Sequence, residues 1–389
     1  MTTHLNVDNN EVQSPTELIE NIKEENEDSY SNDDLYNINS WGADLSFREL
    51  ITMYDEDELL KPELQRNYVW DKVEASRFID SLLLGLPVPS VFLANTPDGN
   101  KLIIDGFQRI MTVYDFVKGI WTKDNKIFKL SNSERINEKW RGKAFKELDP
   151  SEQKKIRSTT IHAIIFEQTH PDDNDTSLYQ IFERINTGGR SLLAQEIRNC
   201  VYQGSVNSLL MNLNKNKEWR ELFGSTTLDT RMRDMEFILR VFSLNTDEIK
   251  NAQSGNISLK KTLNEFMGNK KNNTAIETEK LKQDFEKTIH FIHKNIGTDA
   301  FFNIIQSTPP RIRRRFYPTI FDAIYIATSI YLKNVDESTP PPIDLEEKRL
   351  ELLQRNDFRI YITSGTMQIE NIHGRISMVL ENLYGLQYK

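Results

Sequence analysis

Residues 102–119 read LIIDGFQRIMTVYDFVKG, and the fold turns on this stretch. Leu102, Ile103 and Ile104 make a short apolar run suited to a strand, whereas Phe107, Ile110, Val113, Tyr114 and Val117 recur at the spacing of one helix face. Only Asp105 and Gly106 separate the two periods, so a strand passes into a helix with almost no loop, and Gly119 stops that helix. Upstream, SVFLAN and KLIID flank TPDGN, whose Pro97, Asp98 and Gly99 supply the turn chemistry of a β-hairpin. A helix from about Lys72 to Leu84 precedes it, apolar at Phe78, Ile79, Leu82 and Leu83, ended by Gly85 and kept from continuing by Pro87.

The pattern extends in both directions. FRELITMYDEDELL reads as a short helix, and KPELQRNYVW as an extended stretch, because Pro62 resists helix and the aromatic residues favour strand. KIFKL and TTIHAIIFE read as strands, separated by a helix that begins at Asp149-Pro150-Ser151. From about residue 169 the pattern is helical almost without interruption, through TSLYQIFERIN, SLLAQEIRNCVYQG, TRMRDMEFILRVFSL, LKKTLNEFM, TEKLKQDFEKTIHFIHKN, PTIFDAIYIATSIYL and MQIENIHGRISMVLENLYG. The expectation is an α+β chain: an acidic, disordered tail over residues 1–44, a mixed α/β domain over 45–168 and an α-helical domain over 169–389.

Composition narrows the class. A chain of 389 residues, 38% hydrophobic and 28% charged, has enough material for two domains with sizeable cores. The single Cys200 leaves no internal disulfide, which points to a reducing, cytoplasmic setting, and Cys200 itself reads as buried and inert. No run approaches the roughly 18 apolar residues of a membrane helix, and no signal-peptide layout opens the sequence. The net charge of −9 is local: residues 1–40 hold ten acidic residues and one lysine, and the remaining 48 acidic and 48 basic residues cancel. Such a segment reads either as a solubilising arm or as a cover over a basic groove, displaced by nucleic acid.

A helix that starts at Asp105 would use that carboxylate as N-cap and aim the N–H groups of Gly106, Phe107 and Gln108 outward, an arrangement that suits an anion. Gly106 would permit close approach and Arg109 would clamp a phosphate. Asp105 would repel the same anion unless it holds a metal ion, a ribose hydroxyl or a proton. The plainer alternative is a capped helix start with a solvated arginine.

Taken together, LQRNYVWDKVEASRFIDSLLLGLPVP and VPSVFLANTPDGNKLIIDGFQRIMTVYDF resemble the ParB/sulfiredoxin-like domain at the N-terminus of GmrSD-type modification-dependent restriction enzymes. The family's Gln-x-x-Tyr-x-Trp segment corresponds to Gln65, Tyr68 and Trp70, its Pro-x-Pro to Pro87 and Pro89, and its Asp-Gly-Gln-Gln-Arg turn to Asp105, Gly106, Phe107, Gln108 and Arg109. FERINTGGRSLLAQEIRN resembles its Phe-x-x-x-Asn segment, with Phe182, Asn186 and Gly188 in place, and TRMRDMEFILRVF its helical part, so the likeness spans roughly residues 45–385.

The resemblance implies a nucleotide-binding, NTP-hydrolysing component of a prokaryotic restriction or anti-phage defence system. Its implied catalytic residues are Asp105, Gln108 and Arg109, and its nucleotide contacts Gln65, Tyr68, Trp70, Gly106, Arg184 and Asn186, with Mg²⁺ on Asp105. Two departures matter. Phe107 replaces one glutamine of the turn, and no His-Asn-His arrangement marks an HNH nuclease, so cleavage would come from a partner protein or from the ParB-like site. A non-catalytic DNA-binding or partner-recruiting module is the alternative.

Other candidates stand on residue chemistry alone. Gln65, Tyr68 and Trp70 suit base stacking or a half-buried strand. Asn186 to Gly189 with Ser191 suit a helix junction. Arg311, Arg313, Arg314 and Arg315, beside Phe316 and Tyr317, form the densest basic patch and suit a nucleic-acid backbone, or else the solvated start of a helix. His290 and His293 have a metal-compatible spacing without further ligands, and Arg231, Arg233 and Asp234 suit ion pairing.

Overall fold

In the central strands, alternate residues are apolar on both faces, and that pattern requires cover on both sides. A computed structural model describes residues 18–22, 38–61, 70–96, 98–168, 177–185, 193–202, 204–305, 307, 311–336 and 338–388. It divides into two units, residues 32–203 and residues 204–389 together with 1–31.

The first unit runs β1 (Ile38–Ser46), α1 (Phe47–Asp55), β2 (Leu59–Leu60), α2 (Lys72–Leu84), β3 (Val91–Asn95), β4 (Lys101–Asp105), α3 (Phe107–Lys118), β5 (Ile120–Trp121), β6 (Lys126–Ile127), α4 (Pro150–Ser158), β7 (Thr160–Gln168), α5 (Ser177–Ile185) and α6 (Ala194–Val201). Its main sheet has the order β1-β7-β3-β4-β2. The pairs β1–β7 and β3–β4 are antiparallel, whereas β3–β7 and β2–β4 are parallel.

Period-two alternation then sorts the side chains. Val91, Leu93, Ile103, Ile161, Ala163 and Ile165 face a core built with α1 to α4, including Phe47, Ile79, Val113, Phe116 and Ile156. Ala94, Leu102 and Ile104 face the other way, against Tyr179 and Phe182 of α5 and Ile197 and Cys200 of α6. The family-motif residue Phe182 is thus core. Two helices start in full capping boxes, Ser46 with Glu49 and Asp71 with Glu74, and α2 ends on Gly85 at φ 82°.

Several expectations are corrected here. The first unit continues to residue 203 instead of ending at 168, because α5 and α6 complete the second face of the sheet. The tail expected to be disordered over 1–44 contributes β1, held by register from Ile38↔Gln168 to Ser46↔Thr160. Of KIFKL only Lys126 and Ile127 pair as a strand, with Lys129 in an isolated bridge.

The second unit contains α7 (Ser205–Leu213), α8 (Lys217–Phe223), α9 (Arg233–Leu244), α10 (Asp247–Asn251), α11 (Leu259–Gly268), α12 (Ala275–Asn295), β8 (Phe302–Ile305), β9 (Arg311–Phe316), α13 (Pro318–Asn334), α14 (Leu345–Gln354), α15 (Asn356–Thr363) and α16 (Ile369–Tyr384). Helix α13 is apolar almost all round and correspondingly buried. Its buried Asp322 accepts two 2.7 Å hydrogen bonds from Arg240 of α9 and one of 3.0 Å from Arg375 of α16, which fixes three helices to one carboxylate. The β8–β9 hairpin interrupts what the sequence pattern reads as continuous helix.

Candidate functional site

Strand β4 ends at Asp105, Gly106 takes φ +100°, and α3 begins at Phe107. The junction is therefore as short as the sequence requires, but its parts act differently from expectation. Asp105 is not the N-cap. Gly106 occupies that position, no side chain caps α3, and the Asp105 carboxylate instead accepts a 2.6 Å hydrogen bond from Arg109 Nη2. The expected role of Gly106, clearance for a ligand, also changes. A Cβ at this position would lie 2.3 Å from Val91 Cγ1, so the glycine is required by the packing of β3 as well as by its left-handed backbone.

Arg109 was expected to face a phosphate. Its side chain is only 14% exposed, and its Nη1 donates to the carbonyls of Pro89 at 2.6 Å and Ser90 at 2.8 Å while Nη2 holds Asp105. The guanidinium thus ties the start of α3 to the chain leading into β3. One Asp105 oxygen is engaged by this pair, and the 44%-exposed carboxylate presents the other. Gln108 Oε1 accepts the Trp70 N–H at 3.3 Å, which links the turn to the end of the QRNYVW segment. Trp70 is half-buried and meets Phe78 edge-on at 5.6 Å, and Phe107 packs on the first core, giving its replacement of a glutamine a structural reason.

The structure therefore brings together Trp70, Pro89, Ser90, Asp105, Gln108 and Arg109. Gln65, Tyr68 and Asn186 lie outside the described residues, as does Gly188. Arg184 is exposed near the end of α5, and no hydrogen bond or ion pair joins it to the turn among the described residues. Sequence reasoning missed the carbonyls of Pro89 and Ser90, which carry no residue-type signature. It also missed a polar cluster on α6: Gln195, Arg198 and Asn199 are buried, Gln195 bridges the other two at 2.9 and 3.1 Å, and the Arg198 guanidinium lies 5.7 Å from the Tyr179 ring centre. Polar residues at positions i, i+3 and i+4, beside the apolar Ile197 and Cys200, were the available signal. Burial pushes the Cys200 thiol up, in keeping with an inert role.

In the second unit the basic patch lies on β9, not at a helix start. Arg311, Arg313 and Arg314 are exposed, Arg315 is partly so, and Phe316 is buried against Phe237 at 4.7 Å and Phe223 at 4.9 Å. The N-terminal segment meets this strand: Glu20 N–H donates to Phe316 O at 2.9 Å and Phe316 N–H donates to Leu18 O at 2.8 Å. Glu20 Oε2 stands 3.4 Å from Arg313 Nη2 and 3.9 Å from Arg315 Nη1. The two histidines each face a glutamate, His290 with Glu218 at 2.8 Å and His293 with Glu221 at 2.7 Å. In TRMRD, Asp234 is buried and accepts from Arg220 of α8 at 2.7 Å, and Arg233 pairs with Asp229.

Residues 47–203 match the family model described as GmrSD restriction endonuclease, N-terminal domain. The matched span runs from the first residue of α1 to the end of the first unit. It contains the Trp70, Pro89 and Asp105–Arg109 assembly. A search of curated proteins found no match. No described helix is long and apolar enough to cross a membrane.

Proposed function

We propose that this chain is a component of a prokaryotic DNA restriction or anti-phage defence system, and that its first unit binds and hydrolyses a nucleoside triphosphate at the Asp105–Arg109 turn. The observation that carries the reading is the family match over residues 47–203. The geometry supports it in three ways. The N-terminus of α3 has no side-chain cap, so its first N–H groups favour an anion. Asp105 is the exposed carboxylate beside that end. Gln108 is held by Trp70 at the same place, where an amide can contact a base or order a water.

The residues fit Mg²⁺ in one mode. Among the described residues no group of three or more His, Cys, Asp or Glu side chains is placed to cage a metal, whereas phosphate-borne Mg²⁺ needs one or two carboxylates. Asp105 would hold such an ion through the oxygen that Arg109 leaves open. When bound, Mg²⁺ neutralises phosphate charge. Asp105 would orient such an ion, Arg109 keeps Asp105 and the Pro89–Ser90 segment in place, and Arg184 and Asn186 would bind the nucleotide with Gln65 and Tyr68. A partner protein supplies DNA cleavage.

Two observations favour the second reading, a non-catalytic DNA-binding or recruiting module: Phe107 is packed on the core, and Arg109 is engaged within the protein. Phosphate release from each NTP with Mg²⁺, with and without plain and modified DNA, separates the two. Turnover abolished by Asp105→Asn and reduced by Arg184→Ala, at unchanged unfolding midpoint, supports the enzyme. Turnover that survives both moves the chemistry elsewhere, and nucleotide or DNA binding without turnover leaves the module.

A further inference from the structure

Strand β9 carries arginine at 311, 313, 314 and 315, and among the described residues Glu20 is the carboxylate in ion-pair contact with it. Among the described residues, that one carboxylate is shared by two guanidinium groups at 3.4 and 3.9 Å, against four arginines on the strand. The strand itself is well anchored. Phe316 sits among Trp219, Phe223, Phe237, Phe301 and Phe321, and buried Arg349 donates to Phe302 O of the paired strand at 3.0 Å. The segment against it meets Phe316 through two backbone hydrogen bonds around one parallel bridge, Ile19↔Phe316, and Leu18, Ile19 and Glu20 are half-buried. Glu20 also belongs to the stretch of residues 1–40 that carries the chain's whole excess of negative charge.

We propose that β9 is a binding edge for a nucleic-acid backbone and that the segment Leu18–Ile22 occupies it in cis, its Glu20 competing with the phosphates for Arg313 and Arg315. The inference rests on the reading that this chain meets DNA, and adds the surface that does so and its control. A rigid strand with alternating guanidinium groups presents donors at a fixed rise, matched to a line of phosphates. A single carboxylate, that of Glu20, is a weaker occupant of the same groups, displaced when several phosphates engage together. The competition sets a threshold: short or sparse anions leave the segment in place, and a long duplex removes it.

The test uses the full chain and a fluorescently labelled DNA duplex, with anisotropy read over a range of salt. Glu20→Gln is expected to tighten binding about three- to tenfold near 0.1 M salt and to steepen the salt dependence by about one unit of log–log slope. Arg313→Gln with Arg315→Gln is expected to weaken binding, flatten that slope by about two and make Glu20→Gln silent. Hydrogen exchange at the Phe316 amide, which Leu18 O protects, is expected to speed up when duplex is added. Unchanged affinity in Glu20→Gln, or slower exchange at Phe316 with DNA, overturns the competition. DNA binding that ignores both arginines overturns the site while leaving the functional reading intact, and a chain that binds no DNA in any form ends both.

Discussion

Arg109→Ala is expected to damage the fold before it damages any chemistry. The substitution removes two hydrogen bonds from a charged donor to the carbonyls of Pro89 and Ser90 and one to Asp105. Hydrogen bonds to charged groups contribute about 1.5–3 kcal/mol each, but Pro89 is exposed and water can replace part of its loss, and the Asp105 pair is discounted because that carboxylate is 44% exposed. The net cost is about 2–4 kcal/mol. With an m-value of about 2 kcal/mol/M in urea, the midpoint falls by about 1–2 M. Tryptophan fluorescence reads this well, since Trp41, Trp70, Trp121 and Trp140 lie in the first unit and only Trp219 in the second. Asp105→Asn keeps an acceptor for Arg109 and is expected to shift the midpoint by less than about 0.5 M. An Arg109→Ala midpoint equal to wild type would refute the reasoning and return Arg109 to the ligand. It follows that lost turnover in Arg109→Ala is informative only beside an unfolding curve.

Three further outcomes are expected. Gly106→Ala forces alanine to φ +100° and its Cβ to 2.3 Å from Val91 Cγ1, a combined cost of about 2–5 kcal/mol in urea unfolding; Val91→Ala removes that contact but keeps a Cβ 2.9 Å away, so it should recover only part of the packing loss, and the double-mutant cycle should show coupling. Asp322→Asn leaves Arg240 and Arg375 buried without their shared charge, and should cost about 3–5 kcal/mol, lowering Tm by about 10 °C in calorimetry, with no change if the three helices are held by packing alone. Desolvation raises the Glu152 pKa, but hydrogen bonds from Lys139, the Trp140 indole and the Asp149 N–H outweigh it and bring the group from 4.5 down to about 2. A depressed carboxylate stabilises the fold above its unfolded value and loses that contribution as the pH falls from about 4.5 toward 2, so wild type should weaken over that window and Glu152→Gln should show a shallower loss.

Much of the first unit was legible because its signals are local. The Leu102–Gly119 stretch announces a strand and a helix by its two periods, the TPDGN turn pairs the strands on either side of it, and Gly85 and Asp149-Pro150 mark helix ends through backbone preferences intrinsic to those residues. That Asp105, Gln108 and Arg109 share one short strand-to-helix turn was also legible, and the structure joins them by hydrogen bonds to one another or to Trp70. What they do there was not. Arg109 is satisfied by two carbonyls, and a carbonyl has no residue identity for a sequence to display.

The remaining surprises share that physical origin. Strand β1 reads as a polar tail because an edge strand can be mostly exposed, and it becomes a strand only when β7, far along the chain, offers its hydrogen-bonding edge. Helices α5 and α6 show the same periodicity as the helices after them, but the outward-facing Leu102 and Ile104 draw them into the first unit. RIRRRF reads as a charged helix start until Phe302–Ile305 pairs with it and Phe316 is buried. The sequence by itself determined the local elements, the charge asymmetry and the residues of the turn, since side-chain pattern and backbone preference act within a few residues. Only tertiary structure decided the edge partners, the domain limits and the occupant of each polar group, because those depend on backbone groups and faces brought together from distant parts of the chain.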